Sequence, residues 1–232
     1  MHGMQCKKSH TALLMIREVK MENSIKNVVF DVGDVLVSFR YRDHMRDLGF
    51  SGEAVDFLSE NMILTNFWHE MDMGIRTEKD AVEHFTALYP QYKDEILRFW
   101  ADTDGLVAEY PYAKPLISGI KASGRGVYVL SNYPEELSGR HWPKFRFLPE
   151  ADGYIISALE KLAKPDPSIY KLLFSRFGLT PGECLFIDDR PSNVEAAKGV
   201  GMQAVLFTGP EALLKELSSF GIEVRLQPDA GD

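Results

Sequence analysis

Three short apolar runs, Val28-Val29-Phe30, Val127-Tyr128-Val129-Leu130 and Cys184-Leu185-Phe186-Ile187, each stop abruptly at polar side chains: Asp31, Ser131 and the pair Asp188-Asp189. Runs this short, rich in β-branched and aromatic residues and free of charge, fit strands buried on both faces. Stretches of helical period separate them. Strands alternating with helices close into a mainly parallel sheet through right-handed crossovers, with helices packed on both faces. Ligands of such α/β sheets gather outside the carboxyl ends of the strands, so polar residues at three strand ends are better placed for chemistry than for packing. Each ending alone also fits an ordinary turn. Gly33, two residues beyond Asp31, is expected to let the backbone turn sharply as the first strand ends.

Taken in order, the chain divides into a leader over residues 1–24, a Rossmann-like α/β core from 25–40 and 112–232, and a small all-helical cap from 41–111. The leader carries no strand pattern. Its run Thr11–Ile16 is far too short to cross a bilayer, and a chain starting at Met21 is expected to fold like the full one. Within the cap, Ser51-Gly52-Glu53 and Thr77 read as helix starts, Gly74 breaks the pattern, and Lys93 to Trp100 reads as another helix. The aromatics Phe67, Trp68, Phe85, Phe99 and Trp100 are expected mostly in the core, with one or two facing a cleft. A helix from Ala113 to Ser123 then leads to the second strand. Pro134 to Pro149 reads as irregular. Tyr154 to Ile156 is expected as a strand, Ser168 to Phe177 as a helix ended by Gly178, Pro191 to Val200 as a helix with proline in its first turn, and Ala204 to Phe207 as a strand. Pro228 to Asp232 reads as a loose tail.

Charge and cysteine usage narrow the functions open to this chain. A net charge of -8 argues against a nucleic-acid binder. Small phosphorylated ligands stay admissible, because one cation and a few backbone N–H groups capture them locally. No stretch is suited to spanning a membrane. Cys6 and Cys184 are the only cysteines, one in the leader and one opening a core strand, so no disulfide is expected and a reducing, cytoplasmic setting fits. Monomer and homodimer both stay open.

Between the second and third apolar runs lies Ala163-Lys164-Pro165-Asp166-Pro167, a lysine in a proline-stiffened approach to a helix. Asp31, Ser131, Lys164 and Asp188-Asp189, in that order, resemble the four motifs of the haloacid dehalogenase superfamily, over roughly residues 25 to 210. The resemblance implies that Asp31 is a nucleophile forming an aspartyl-phosphate, with Ser131, Asn132 and Lys164 holding the phosphate. It implies a Mg2+ ion held by Asp31, the carbonyl of Gly33 and Asp189. Asp188 would stand behind the metal ligands or hold Lys164, and Asn193 would reach back toward waters on the metal. Such chemistry needs cations and donors, since a carboxylate attacking a phosphate dianion meets charge repulsion.

This chain departs from the superfamily's phosphatases at Gly33, where they usually carry a second Asp as general acid. Asp34 does not simply substitute, because neighbouring residues in an extended turn point different ways. The pattern Asp-x-Gly-x-Val resembles the branch containing α-glucose-1-phosphate phosphatases. A Mg2+-dependent phosphatase of small phosphorylated metabolites, sugar phosphates among them, is the leading expectation. A metal-free 2-haloacid dehalogenase and a catalytically silent protein of the same fold are the alternatives.

Overall fold

The computed structural model describes residues 25–224, so the expectations for the leader and for the tail at 228–232 lie outside the described residues. The first strand, β1 (Asn27–Phe30), is followed by a tight loop and a short strand β2 (Val37–Phe39). Five helices come next: α1 (Tyr41–Asp47), α2 (Gly52–Leu58), α3 (Asn66–Asp72), α4 (Glu78–Leu88) and α5 (Lys93–Ala101). Strand β3 (Val107–Glu109) returns antiparallel to β2, with Val37 opposite Glu109 and Phe39 opposite Val107, so the helical insert leaves and rejoins the sheet through one narrow ribbon. Then follow α6 (Ala113–Ala122), β4 (Gly126–Ser131), α7 (Glu135–His141), β5 (Gly153–Ile156), α8 (Ser157–Glu160) and α9 (Pro167–Phe177). The described chain closes with β6 (Cys184–Asp188), α10 (Pro191–Gly199), β7 (Gln203–Leu206) and α11 (Pro210–Ser219).

The larger sheet is parallel throughout, in the order β5-β4-β1-β6-β7. Its central strands are apolar without interruption because both faces are covered, yet alternation still decides which face each side chain meets. Val28, Phe30, Leu185 and Ile187 pack with Leu116, Ile117 and Ile120 of α6 and with Leu213 and Leu217 of α11. Val29, Leu130 and Phe186 pack on the other side with Ile169, Tyr170 and Leu173 of α9 and Ala197 of α10. With β1 between β4 and β6, the three strands that end in polar residues lie side by side. Asp31, Ser131 and Asp188 therefore meet at one edge of the sheet.

Local sequence explains the helix boundaries of the insert. The Ser51 hydroxyl accepts from the Ala54 N–H at 3.1 Å and starts α2. At α4, Thr77 and Asp80 cap one another reciprocally, Asp80 N–H to Thr77 Oγ1 at 3.1 Å and Thr77 N–H to Asp80 Oδ2 at 2.8 Å. Gly74 ends the α3 segment with φ +62, and a Cβ there would collide with the Ala158 carbonyl. A larger residue at this position is excluded by space as well as by conformation.

The expected irregular stretch from Pro134 to Pro149 is a correction. It contains helix α7, followed by two short 3-10 turns at Trp142–Lys144 and Leu148–Glu150. Prolines at each end and Gly139 masked the helical period, but Leu137 and His141, four residues apart, face inward together. His141 is tied on both ring nitrogens, to the Tyr133 hydroxyl at 2.7 Å and to the Thr103 carbonyl at 2.9 Å. Among the described residues no helix is long and apolar enough to cross a membrane.

Candidate active site

Asp31 sits one residue beyond β1, and the sheet still holds it: its N–H donates to the Ile187 carbonyl at 2.9 Å. Its carboxylate turns back to accept the Val32 N–H at 2.7 Å. The chain then folds over itself, with the N–H groups of Leu36 and Val37 both reaching the Val32 carbonyl, at 2.9 and 3.0 Å. The residue with positive φ in this turn is Asp34, at φ 53, and not Gly33 as the sequence suggests. An Asp tolerates that conformation because its short side chain bonds locally, here accepting the Phe39 N–H at 3.1 Å. What Gly33 supplies is room, since no atom lies within 4 Å of where its Cβ would stand.

Lys164 is 2% exposed and sits between two carboxylates, 2.8 Å from Asp31 Oδ1 and 2.7 Å from Asp188 Oδ2. Its ammonium also lies 5.4 Å from the centre of the Phe186 ring. The Asn132 side chain clamps its backbone, accepting the Lys164 N–H at 2.8 Å and donating to the Lys164 carbonyl at 2.9 Å. The Lys164-Pro165 peptide is cis, and Asp166 caps the start of α9 through the Ser168 N–H at 2.7 Å. Strand ends and a proline-bound loop thus fix the charged groups on rigid supports.

Asp188 is wholly buried and fully used. Besides Lys164 it accepts the Arg190 N–H at 2.8 Å and both contacts of the Asn193 amide at 3.0 Å. The Asn193 amide nitrogen thus donates to Asp188, and the residue also lines the cleft beside Asp189. Ser131 is buried, its hydroxyl 3.4 Å from the Asn132 carbonyl, and it lies outside the residues that line the cleft.

Charge in this cluster is unbalanced. Burial raises the Asp31 pKa above the usual carboxylate range; Lys164 pulls it down, while Asp188 and Asp189 push it up. Burial works against the Lys164 ammonium, yet Asp31 and Asp188 outweigh it and hold its pKa above the ordinary lysine value. Burial, helped by Asp188 and Asp34, also raises Asp189. One oxygen from each of Asp31, Asp188 and Asp189 falls within 4.8 Å of the others. Three carboxylates against one lysine leave excess negative charge, and an all-oxygen set suits a hard divalent cation such as Mg2+.

The cleft above this cluster holds about 520 Å³, in the range of small-molecule sites. Asp31, Gly33, Asn132, Lys164, Asp189 and Asn193 border its floor. Phe39, Tyr41 and Trp68 line the wall contributed by the insert, with ring centres 5.2 Å apart for Phe39–Tyr41 and 5.6 Å for Phe39–Trp68. Of the five cap aromatics singled out in the sequence, Trp68 lines the cleft, whereas Phe85, Phe99 and Trp100 are core. Asp72, Arg190 and Tyr133 also line it, and sequence reasoning named none of them. Arg190 directly follows the Asp-Asp pair and was open to notice. Asp72, the last residue of α3, had no local signal.

Comparison with known proteins agrees with this layout. The pattern of the haloacid dehalogenase-like hydrolases matches residues 25–201. A phosphatase of Mycobacterium tuberculosis, MT3486, is 31% identical over 212 residues, covering 85% of this chain and 96% of that protein. Mouse acyl-CoA dehydrogenase family member 10 is 29% identical over 213 residues, but the match spans 84% of this chain and only 19% of that longer protein. A haloacid dehalogenase family enzyme of Bacteroides thetaiotaomicron, crystallised as an Asp-to-Ala mutant with magnesium and inorganic phosphate, superposes with a TM-score of 0.61 at 21% identity, over 78% of this chain and 93% of its own. With the family's pattern matching most of its length and its strand-end carboxylates meeting one buried lysine, this chain belongs to the haloacid dehalogenase-like hydrolases.

Proposed function

We propose that the protein is a Mg2+-dependent phosphatase of small phosphorylated metabolites that works through an aspartyl-phosphate on Asp31. The observation that carries this reading is the Asp31–Lys164–Asp188 arrangement, a carboxylate and its cation held at adjoining strand ends beside a third carboxylate, Asp189. Asp31 Oδ attacks phosphorus; the N–H groups beyond β4 and the Lys164 ammonium take up the charge that develops on the phosphoryl oxygens. Asn132 keeps Lys164 in place through its two backbone bonds. Asp31, Asp189 and the Gly33 carbonyl would hold the ion. Bound there, Mg2+ supplies charge neutralisation between the carboxylates and an incoming phosphate dianion. The magnesium and phosphate of the Bacteroides enzyme are consistent with this assignment.

The cleft wall also bears on the leaving group. Phe39, Tyr41 and Trp68 offer ring faces, and Thr65, His69, Asn132, Arg190 and Asn193 line the same cleft with polar groups, a mixture that suits small phosphorylated metabolites, sugar phosphates among them. A 2-haloacid dehalogenase uses a similar Asp without a metal. The clustered Asp188 and Asp189 weigh against that alternative, because their unbalanced charge would repel a haloacid carboxylate.

Removal of divalent ions decides between the two. Exhaustive chelation is expected to abolish hydrolysis of an aryl phosphate and added Mg2+ to restore it, and Asp189→Ala is expected to lose the metal-supported rate. Full turnover after chelation, or chloride release from a 2-haloacid with no phosphatase activity, would overturn the phosphatase reading.

A further inference from the structure

The position that usually bears the general acid of these phosphatases is Gly33, and it is empty of side chain. Asp34 is no replacement. Its carboxylate accepts the Phe39 N–H and closes the turn, and the residue is exposed. A second carboxylate lines the same cleft as Asp34: Asp72, at the end of α3.

Asp72 is held against the core by bonds from its own backbone. The Ser157 hydroxyl donates to the Asp72 carbonyl and accepts the Tyr133 N–H at 2.9 Å, which links the insert to the loop after β4 that carries Asn132. Two residues on, Lys161 Nζ donates to the Gly74 carbonyl at 2.6 Å, and the absence of a Cβ at Gly74 lets this segment lie against Ala158. The Asp72 carboxylate itself makes no hydrogen bond or ion pair among the described residues. A carboxyl group pinned by its backbone, with both oxygens uncommitted, is arranged for an incoming ligand rather than for structure.

The geometry points to Asp72 as the general acid of this hydrolase, and as the general base of its second step, acting in the same cleft as Asp31; this rests on the reading of Asp31 as nucleophile. When an Asp31 oxygen bonds to phosphorus, the bond from phosphorus to the ester oxygen breaks with its electron pair on that oxygen. The Asp72 carboxyl proton passes to it, and the alcohol leaves. A water oxygen then attacks phosphorus, its proton goes to the Asp72 carboxylate, and the bond from phosphorus to Asp31 breaks. Inorganic phosphate, ionised Asp31 and protonated Asp72 are regenerated.

The surroundings favour the protonated starting state. Removal from water pushes the Asp72 pKa up to about 7; Arg190 lowers it, Asp31 raises it and Lys164 lowers it. The carboxyl end of α3 adds partial negative charge beside it. Asp189 and His69 also border the cleft, and the Tyr133 phenol stands close enough for its own pKa to be raised further by Asp72. A carboxyl that titrates near neutrality serves both transfers, giving up its proton in the first step and recovering one in the second.

The test is a leaving-group series of aryl phosphates assayed with Mg2+, from dinitrophenyl phosphate, whose phenolate needs no proton, to phenyl phosphate, whose leaving group benefits from one. Asp72→Asn preserves shape and is expected to lower kcat/KM for phenyl phosphate by about 10²–10⁴-fold while leaving dinitrophenyl phosphate within about 10-fold of the parent. In the parent, kcat/KM for phenyl phosphate should fall as pH rises through the range where Asp72 ionises, and this fall should vanish in the variant. Glu211→Gln, at the exposed start of α11, should leave the series unchanged. Equal losses on both esters, or no loss on either, would overturn the role of Asp72. An absence of aryl phosphate hydrolysis by the parent protein would instead overturn the phosphatase reading beneath it.

Discussion

Asp31→Asn is expected to lower kcat for any phosphate ester by about 10⁴-fold or more, because the nucleophile and the groups around it act as a unit and no other carboxylate stands at the end of β1 to replace it. Asp188 is committed to Lys164, Asn193 and the Arg190 N–H, and Asp34 to its turn. The fold should not suffer. Asn keeps an oxygen that accepts the Val32 N–H and faces Lys164, and it removes a carboxylate whose ionisation burial opposes. Thermal melting of the variant is therefore expected at or above the parent's temperature, the usual signature of a site that sacrifices stability for activity. Residual phosphatase activity near the parent level would show that Asp31 is not the attacking group.

Lys164→Met should cost both activity and stability. The side chain is close in length but uncharged, and it leaves Asp31 at the cleft and the wholly buried Asp188 facing one another without a cation. Breaking a buried pair from one side typically costs about 3–5 kcal/mol, because the remaining charge is uncompensated. For a chain of this size that corresponds to a fall in Tm of roughly 6–20 °C. The predicted loss is not that of an exposed ion pair, since Asp188 has no exposure. Adding Asp188→Asn to the lysine variant should recover part of it, which urea unfolding of the single and double variants would measure. A cost below about 1 kcal/mol for Lys164→Met would place this pair among solvent-screened ones.

The core strands and most helices were legible because they are specified locally. The apolar runs at Val28, Val127 and Cys184 end where β1, β4 and β6 end or within a residue of it. Thr77 starts α4, and Gly178, at φ 65, ends α9 as expected of a glycine just past a helix. Residues at those strand ends, Asp31, Asp188 and Asp189, could be read as one site because a parallel sheet brings its carboxyl ends together.

What escaped depends on contacts distant in sequence. Helix α7 is supported by His141 bonding back to Thr103, which no local pattern reports. The positive φ of Asp34 follows from the closing of its turn onto Phe39, and a glycine next to it in sequence drew attention away. Asn193 shows the same limit at the site. Its position in the first turn of α10 was readable, but the choice of Asp188 as its partner was not. Asp72 reaches the cleft only because the Ser157 hydroxyl and the Gly74 turn seat the end of α3 on the core.

The central claim is that Asp31 bonds covalently to phosphorus, and its most direct test is a rapid acid quench of the enzyme turning over an aryl phosphate with Mg2+, followed by peptide mass spectrometry. A phosphoryl group on the peptide containing Asp31, absent when the ion is chelated and absent in Asp31→Asn, is the predicted result. Steady hydrolysis with no phosphorylated Asp31 at any quench time, and with inversion at an isotopically chiral phosphorus, as a single direct attack by water gives, would contradict it.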